Sequence, residues 1–243
     1  MAAEREAVDA LVTTLRAELA HAADPAKAEP MRAYMKSSMP FLGIPTPTLR
    51  AITRRVFAGQ PLSSVDEWRR AVLVLWREAR YREERYAAIG LAGERRYRTW
   101  QTLDALPLYE EMIVSGAWWD YVDGIASQQL GALLAAHPTE MRQEMLTWSR
   151  DYDLWKRRAA IICQLNFGPR TDEALLFSCI TPNLADREFF IRKGIGWALR
   201  QYARVAPDAV RAYVDAHAAE MSPLSRREAL KRIGDAPTSA DDL

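Results

Sequence analysis

Four ionisable side chains, Arg85, Asp123, Arg158 and Lys193, stand 38, 35 and 35 residues apart. Each is followed at once by small and apolar residues, as in Arg158-Ala-Ala-Ile161 and Lys193-Gly-Ile-Gly-Trp197. Recurrence at a period of about 35 to 40 residues is the signature of stacked two-helix repeats. In such a stack equivalent positions line up along one face, because each repeat touches only its neighbours. The row would then read basic, acidic, basic, basic. A lone carboxylate among cations suits a site that holds a polyanion and acts on something within it.

The apolar pattern agrees with a helical array. Val8, Leu11, Val12, Leu15 and Leu19 recur on one helical face. Ser64-Val-Asp-Glu67 is a capping-box pattern ahead of Trp68, Val72, Leu75 and Trp76. Pro138, Asp172, Pro207 and Pro223 mark later helix starts. Helices are predicted over 3–22, 26–36, 48–58, 64–79, 82–98, 102–115, 118–135, 139–149, 153–166, 172–180, 187–204, 207–220 and 223–233. No segment shows a sustained two-residue alternation. Between Ser37 and Pro47 three prolines and a glycine exclude regular helix. The expectation is an all-α array forming a single domain over 1–235, with a frayed tail over 236–243.

Composition narrows the class without deciding it. A chain of 243 residues, 49% hydrophobic and 27% charged, can bury a full core. No run of 18 apolar residues exists, so a membrane span is not expected. The opening Met1-Ala-Ala-Glu-Arg-Glu6 has no secretory pattern, which makes the cytoplasm the expected compartment. Cys163 and Cys179 read as buried thiols, and the three histidines share no ligand spacing, so no metal is expected. Of 33 basic residues only five are lysine. Arginine suits phosphate through its planar fork, although a codon bias would give the same count.

Position is more informative than composition. Leu154, Arg158, Ile161, Ile162 and Leu165 share one helical arc, so Arg158 projects beside an apolar stripe, whereas Arg157 is easier to solvate. An arginine there either snorkels along the stripe, pairs with an acid or serves a site. Trp119 precedes Asp123 by one turn, and Trp197 follows Lys193 by one turn, on the same faces. Aromatic faces among cations, with one acid, fit a site that stacks a base or sugar while arginines hold phosphates. Trp76, Trp100, Trp148 and Trp155 read as core or rim.

Four segments together resemble one family. They are Tyr34-Met-Lys-x-x-Met-Pro-Phe-Leu-Gly-Ile-x-Thr-Pro47, Trp118-Trp-Asp-x-Val-Asp123, Trp155-x-Arg-Arg-x-Ala-Ile161 and Phe190-Ile-x-Lys-x-Ile-Gly-Trp-Ala-Leu-Arg200. In order and over about residues 30 to 205, this pattern resembles the AlkD-type DNA alkylation-repair glycosylases. The resemblance implies a right-handed superhelical solenoid of HEAT-like repeats with a concave DNA-binding groove. It implies excision of N3- and N7-alkylated purines from duplex DNA, without metal or organic cofactor, and one groove per chain makes a monomer the expected state. By the same carry-over Asp123 is the essential carboxylate, Trp119 and Trp197 flank the lesion's deoxyribose, Arg158 contacts nearby phosphates, and Tyr34 lies in the segment near DNA. Lys193, Arg157, Arg85 and Lys36 are the expected backbone contacts. Gly194 departs from the pattern, where alanine is expected.

Two other readings remain open from the sequence. A related helical-repeat protein could bind damaged or branched DNA without cutting it. A protein–protein scaffold, the usual work of helical repeats, would need no cationic row. Retention of Asp123, Trp119, Arg158 and Trp197 favours the glycosylase.

Overall fold

A computed structural model describes residues 2–231 and residue 233; the predicted tail, 236–243, lies outside them. The fold is the predicted all-α repeat array, with 75% helix and no strand among the described residues. The chain groups into two compact units, residues 1–108 and 109–243.

The first unit holds α1 (Ala2–His21), α2 (Pro25–Met35), α3 (Thr46–Gly59), α4 (Val65–Arg77) and α5 (Arg82–Ala92). The stripe Val8, Leu11, Val12, Leu15 and Leu19 is buried, and α1 packs on α3 and α4. Ser64 caps α4 by accepting from the Glu67 amide at 3.2 Å. The Glu67 carboxylate reaches back one residue further than a capping box requires, to the Ser63 amide at 2.6 Å. The predicted helix over 82–98 stops at Gly93 and continues as a 3-10 segment, Arg95–Trp100. That tighter turn buries Tyr97, whose hydroxyl accepts the Leu62 amide at 2.9 Å.

The irregular segment between α2 and α3 is held by two adjacent residues of α5. Glu83 is fully buried, and its carboxylate accepts from the amides of Leu42, Gly43 and Ile44 at 2.9, 2.9 and 3.2 Å. Three converging N–H donors stabilise a buried carboxylate that would otherwise be costly. Arg82, also buried, stands over the rings of Phe41 and Tyr86 and donates to Ser37 Oγ at 3.2 Å. Gly43 has φ of +85°, and a Cβ there would meet the Asp24 carbonyl oxygen at 2.1 Å, so no other residue fits.

In the second unit, α6 (Leu106–Gly116), which starts at the division between the units, leads into α7 (Trp119–Ile125). A π-helical turn, Ala126–Leu130, joins α7 to α8 (Gly131–Ala136). Then come α9 (Pro138–Trp148), α10 (Leu154–Ile162), α11 (Glu173–Ile180), α12 (Phe189–Tyr202), α13 (Pro207–Ala216) and α14 (Pro223–Leu230). Helix α10 is central and touches α7, α9, α11 and α12. Helices α12 and α14 cross closely because Gly196 has no side chain: a Cβ there would stand 2.5 Å from that of Glu228. Trp76, Trp148 and Trp155 are core, and Trp100 stacks on Tyr97 at 4.8 Å. Both cysteines are buried and free, with the Cys179 thiol pushed up to about 12 by burial.

The repeat period is visible in side-chain bonds. Leu62 to Tyr97, Arg69 to the Asp104 carbonyl, Asp123 to Arg158 and Lys193 to Glu228 are each 35 residues apart. Asn183 to Ser149 and Cys179 to Met145 are 34 apart. Equivalent positions of successive repeats therefore meet, as a stack of similar units requires.

Replacing Glu83 with glutamine puts an NH2 group, which cannot accept, where one carboxylate oxygen now receives a buried amide. The Glu83→Gln variant should lose about 1–3 kcal/mol of unfolding free energy in urea titration. Unchanged stability would mean that these three amides have other acceptors available.

Candidate functional site

Helix α7 begins abruptly. Ala117 takes a left-handed conformation, φ +44°, just after α6, and Trp118 is the extended N-cap residue of the new helix. That start sets Trp119 in the first position of α7 and Asp123 one turn later. Tyr121, Val122 and Ile125 point into the core. Immediately after them the backbone widens into the π-helical turn, and Ser127 Oγ donates to the Asp123 carbonyl at 2.7 Å. Such widened turns recur at functional sites. The predicted continuous helix over 118–135 gives no sign of it.

Asp123 is not a lone carboxylate. Arg158 of α10 meets it with a two-pronged contact, Nε to Oδ1 at 2.7 Å and Nη2 to Oδ2 at 2.8 Å. The third guanidinium nitrogen, Nη1, donates to the Phe190 carbonyl on α12. The side chains are 5% and 12% exposed for Arg158 and Asp123. Arg158 therefore lies on the predicted apolar arc but with its donors engaged inside the protein. In this structure it holds the carboxylate of Asp123 and the Phe190 carbonyl. The reason is energetic: a guanidinium this deep needs a counter-charge and full hydrogen bonding. Asp123 keeps a narrow open edge.

Burial raises the Asp123 carboxyl above the usual carboxylate range; the hydrogen bonds and charge of Arg158 oppose the shift, and Asp120 adds to it. Both oxygens accept from one guanidinium, an arrangement only the ionised form can make in full. Each oxygen retains a further lone pair for a water or a substrate.

Lys193, predicted in the same row, pairs with Glu228 of α14 at 3.1 Å, and Arg200 binds the other oxygen of that carboxylate. The Lys193 hydrogen bond is the largest cause holding Glu228 below its ordinary value. Lys193 is 40% exposed, so it remains open to a ligand on one side. Arg157 is less buried than Arg158, as expected, at 16% against 5% exposure, but its donors are engaged. Its Nη1 donates to the carbonyls of Asp151 and Tyr152, both at 2.8 Å, and its Nη2 to Asp186 at 3.0 Å. It joins the turn before α10 to the turn before α12. Trp119 and Trp197 are partly exposed on α7 and α12. Trp118, Trp155 and Phe190 form a ring cluster with centroids 5.1–6.3 Å apart beneath the Arg158 anchor.

The remaining predicted residues belong to the first unit. Tyr34 is 75% exposed on α2 and Lys36 is exposed at its left-handed C-cap. Arg85 stands over the Trp76 ring at 4.7 Å.

Two contributors escape the sequence reading. One is the Phe190 carbonyl, which no side-chain pattern reports. The other is Glu228, which stands 35 residues after Lys193 and thus continues the row. Gly194 has a structural reason too. A Cβ there would lie 3.2 Å from Arg158 Nη1, so the glycine makes room for the guanidinium.

Arg158→Met removes the counter-charge and leaves a buried carboxylate. It should cost about 3–5 kcal/mol in chemical denaturation. The second change Asp123→Leu should recover much of that loss. Simple additivity of the two costs would show that the residues do not act as a pair.

A sequence model of the family described as DNA alkylation repair enzyme matches residues 15–233. Among solved structures, one described as a predicted DNA alkylation repair enzyme from Enterococcus faecalis is 30% identical. It superposes with a TM-score of 0.79, over 88% of this chain and 98% of that one. No curated protein matches the sequence. The family match spans nearly the whole helical array, including every residue of the Asp123–Arg158–Phe190 site, and the chain belongs to the DNA alkylation repair enzyme family.

Proposed function

We propose that this chain is a DNA glycosylase that excises N3- and N7-alkylated purines from duplex DNA, as a monomer. The observation that carries the reading is a carboxylate held by a guanidinium fork and still 12% exposed, one turn from a partly exposed tryptophan.

An N3- or N7-alkylated purine carries a positive charge and is already an activated leaving group. Breaking its N-glycosidic bond returns the bonding electrons to the ring, so the base departs neutral. The sugar develops oxocarbenium character at C1′, as in other glycoside hydrolyses. Little acid catalysis is needed, and neither metal nor organic cofactor has a task in this step. What accelerates it is a fixed negative charge near C1′ and a positioned water. Asp123 supplies the charge, and its free lone pairs orient the water and accept the proton released when water adds to C1′.

Arg158 tempers the field of the carboxylate but fixes where it points, and it keeps the group ionised at neutral pH. Trp119 and Trp197 offer π faces to a cationic sugar or base, worth about 0.5–2 kcal/mol each. Lys193, Lys36 and Arg85 serve the strand's phosphates.

One observation favours a second reading. A carboxylate with both oxygens on a buried arginine is also a good structural strut. In that case the chain binds alkylated DNA without cutting it.

Single-turnover excision of N7-methylguanine from a duplex separates the two. Asp123→Asn should slow release of the free base by at least about a hundredfold while duplex binding persists. Binding without any base release by the wild-type chain would establish the strut.

The pH profile gives an independent check. Catalysis needs ionised Asp123, so the rate should fall as pH drops through a value above the ordinary ~3.9 of aspartate. A carboxyl raised in the folded state contributes stability that is lost as pH rises, not as it falls. The acid limb is therefore not unfolding driven by this residue. An acid limb at or below the ordinary aspartate value would exclude Asp123 as the titrating group.

A further inference from the structure

Beside Trp197 the structure contains a cavity of about 320 Å³ that the excision chemistry does not use. It is lined by Trp197, Arg200 and Gln201 of α12, Arg204 just beyond that helix, and Lys231 just past α14. Among the described residues three cations and no carboxylate line it. Like charges gathered around one small space repel unless an anion occupies it. The Glu228 carboxylate sits outside the lining and takes one edge of Arg200, which fixes how that guanidinium is aimed. Arg204 and Lys231 are exposed and can turn toward a ligand.

We propose that this cavity is a seat for a single phosphate group. Guanidinium groups bind phosphate through paired N–H donors, the ammonium of Lys231 adds a point charge, and the Gln201 amide adds a neutral donor. The volume is at the small end of ligand sites, about 300 Å³, which suits one phosphate with its attached sugar. Trp197 forms an apolar wall for that sugar. Because Trp197 also belongs to the proposed lesion site, a strand phosphate held here would fix the register of the strand against Asp123. The inference rests on DNA being the ligand, yet it does not depend on the chain cutting DNA.

The test uses undamaged duplex, so a failure of the excision chemistry leaves it unaffected. Binding is measured against salt for the wild-type chain and for the double variant Arg204→Gln, Lys231→Gln. Both residues are exposed, so folding should be retained, as thermal denaturation would verify. A strand phosphate predicts that the slope of log affinity against log salt falls by about 0.9. Titration with inorganic phosphate forms the second arm. Saturable phosphate binding that the double variant loses, with an unchanged duplex slope, assigns the seat to a free phosphate instead of a strand. An unchanged slope together with no phosphate binding by the wild-type chain overturns the proposal.

Discussion

Everything at the centre of the second unit depends on the contact between Asp123 and Arg158. Taking both ions out of water is expensive, and only near-ideal geometry repays that cost. Here the geometry is close to ideal: two short parallel bonds, with the remaining nitrogen satisfied by the Phe190 carbonyl. Three helices thus meet through one guanidinium. Helix α7 supplies the acid, α10 the base and α12 the carbonyl, and Gly194 leaves the space in which they meet. A hydrophobic substitute of similar volume could pack as well, so stability alone does not account for the pair. Under the proposed function the carboxylate has a further task.

The same logic recurs one repeat further on, where Lys193 and Arg200 share Glu228. There the ions are more exposed and the contact is correspondingly weaker. The deep pair fixes a geometry, whereas the shallow one leaves Lys193 able to exchange a carboxylate for a phosphate.

Much of this was legible in the sequence because helical periodicity reports which side of a helix a residue faces. Val8 to Leu19 and Trp68 to Trp76 are buried as their spacing predicts, and within the second unit Asp123 meets Arg158 and Lys193 meets Glu228, each 35 residues on. Facing does not disclose the partner, however. The spacing placed Arg158 and Asp123 in register, but whether an arginine reaches outward or folds back depends on burial depth, which periodicity leaves open. Arg157, adjacent to the stripe, is the less buried of the two as its position suggests, but its capture by backbone carbonyls of the preceding turn leaves no mark in the spacing. The segment from Ser37 to Pro47 is recognisable as irregular from its prolines, but its anchor, Glu83, lies about 40 residues away and resembles any helical glutamate. The π-helical turn has no composition signal at all.

That widened turn has a consequence for how such a site is built. A regular helix locks the facing of every residue to that of its neighbours. One extra residue within a turn turns everything beyond it by about 100°. Asp123 can therefore take its orientation from Arg158, while Leu133 and Leu134 beyond the turn keep theirs from the core. The bulge uncouples the facing of α7 from the packing of α8, so each can be altered by mutation without re-aiming the other.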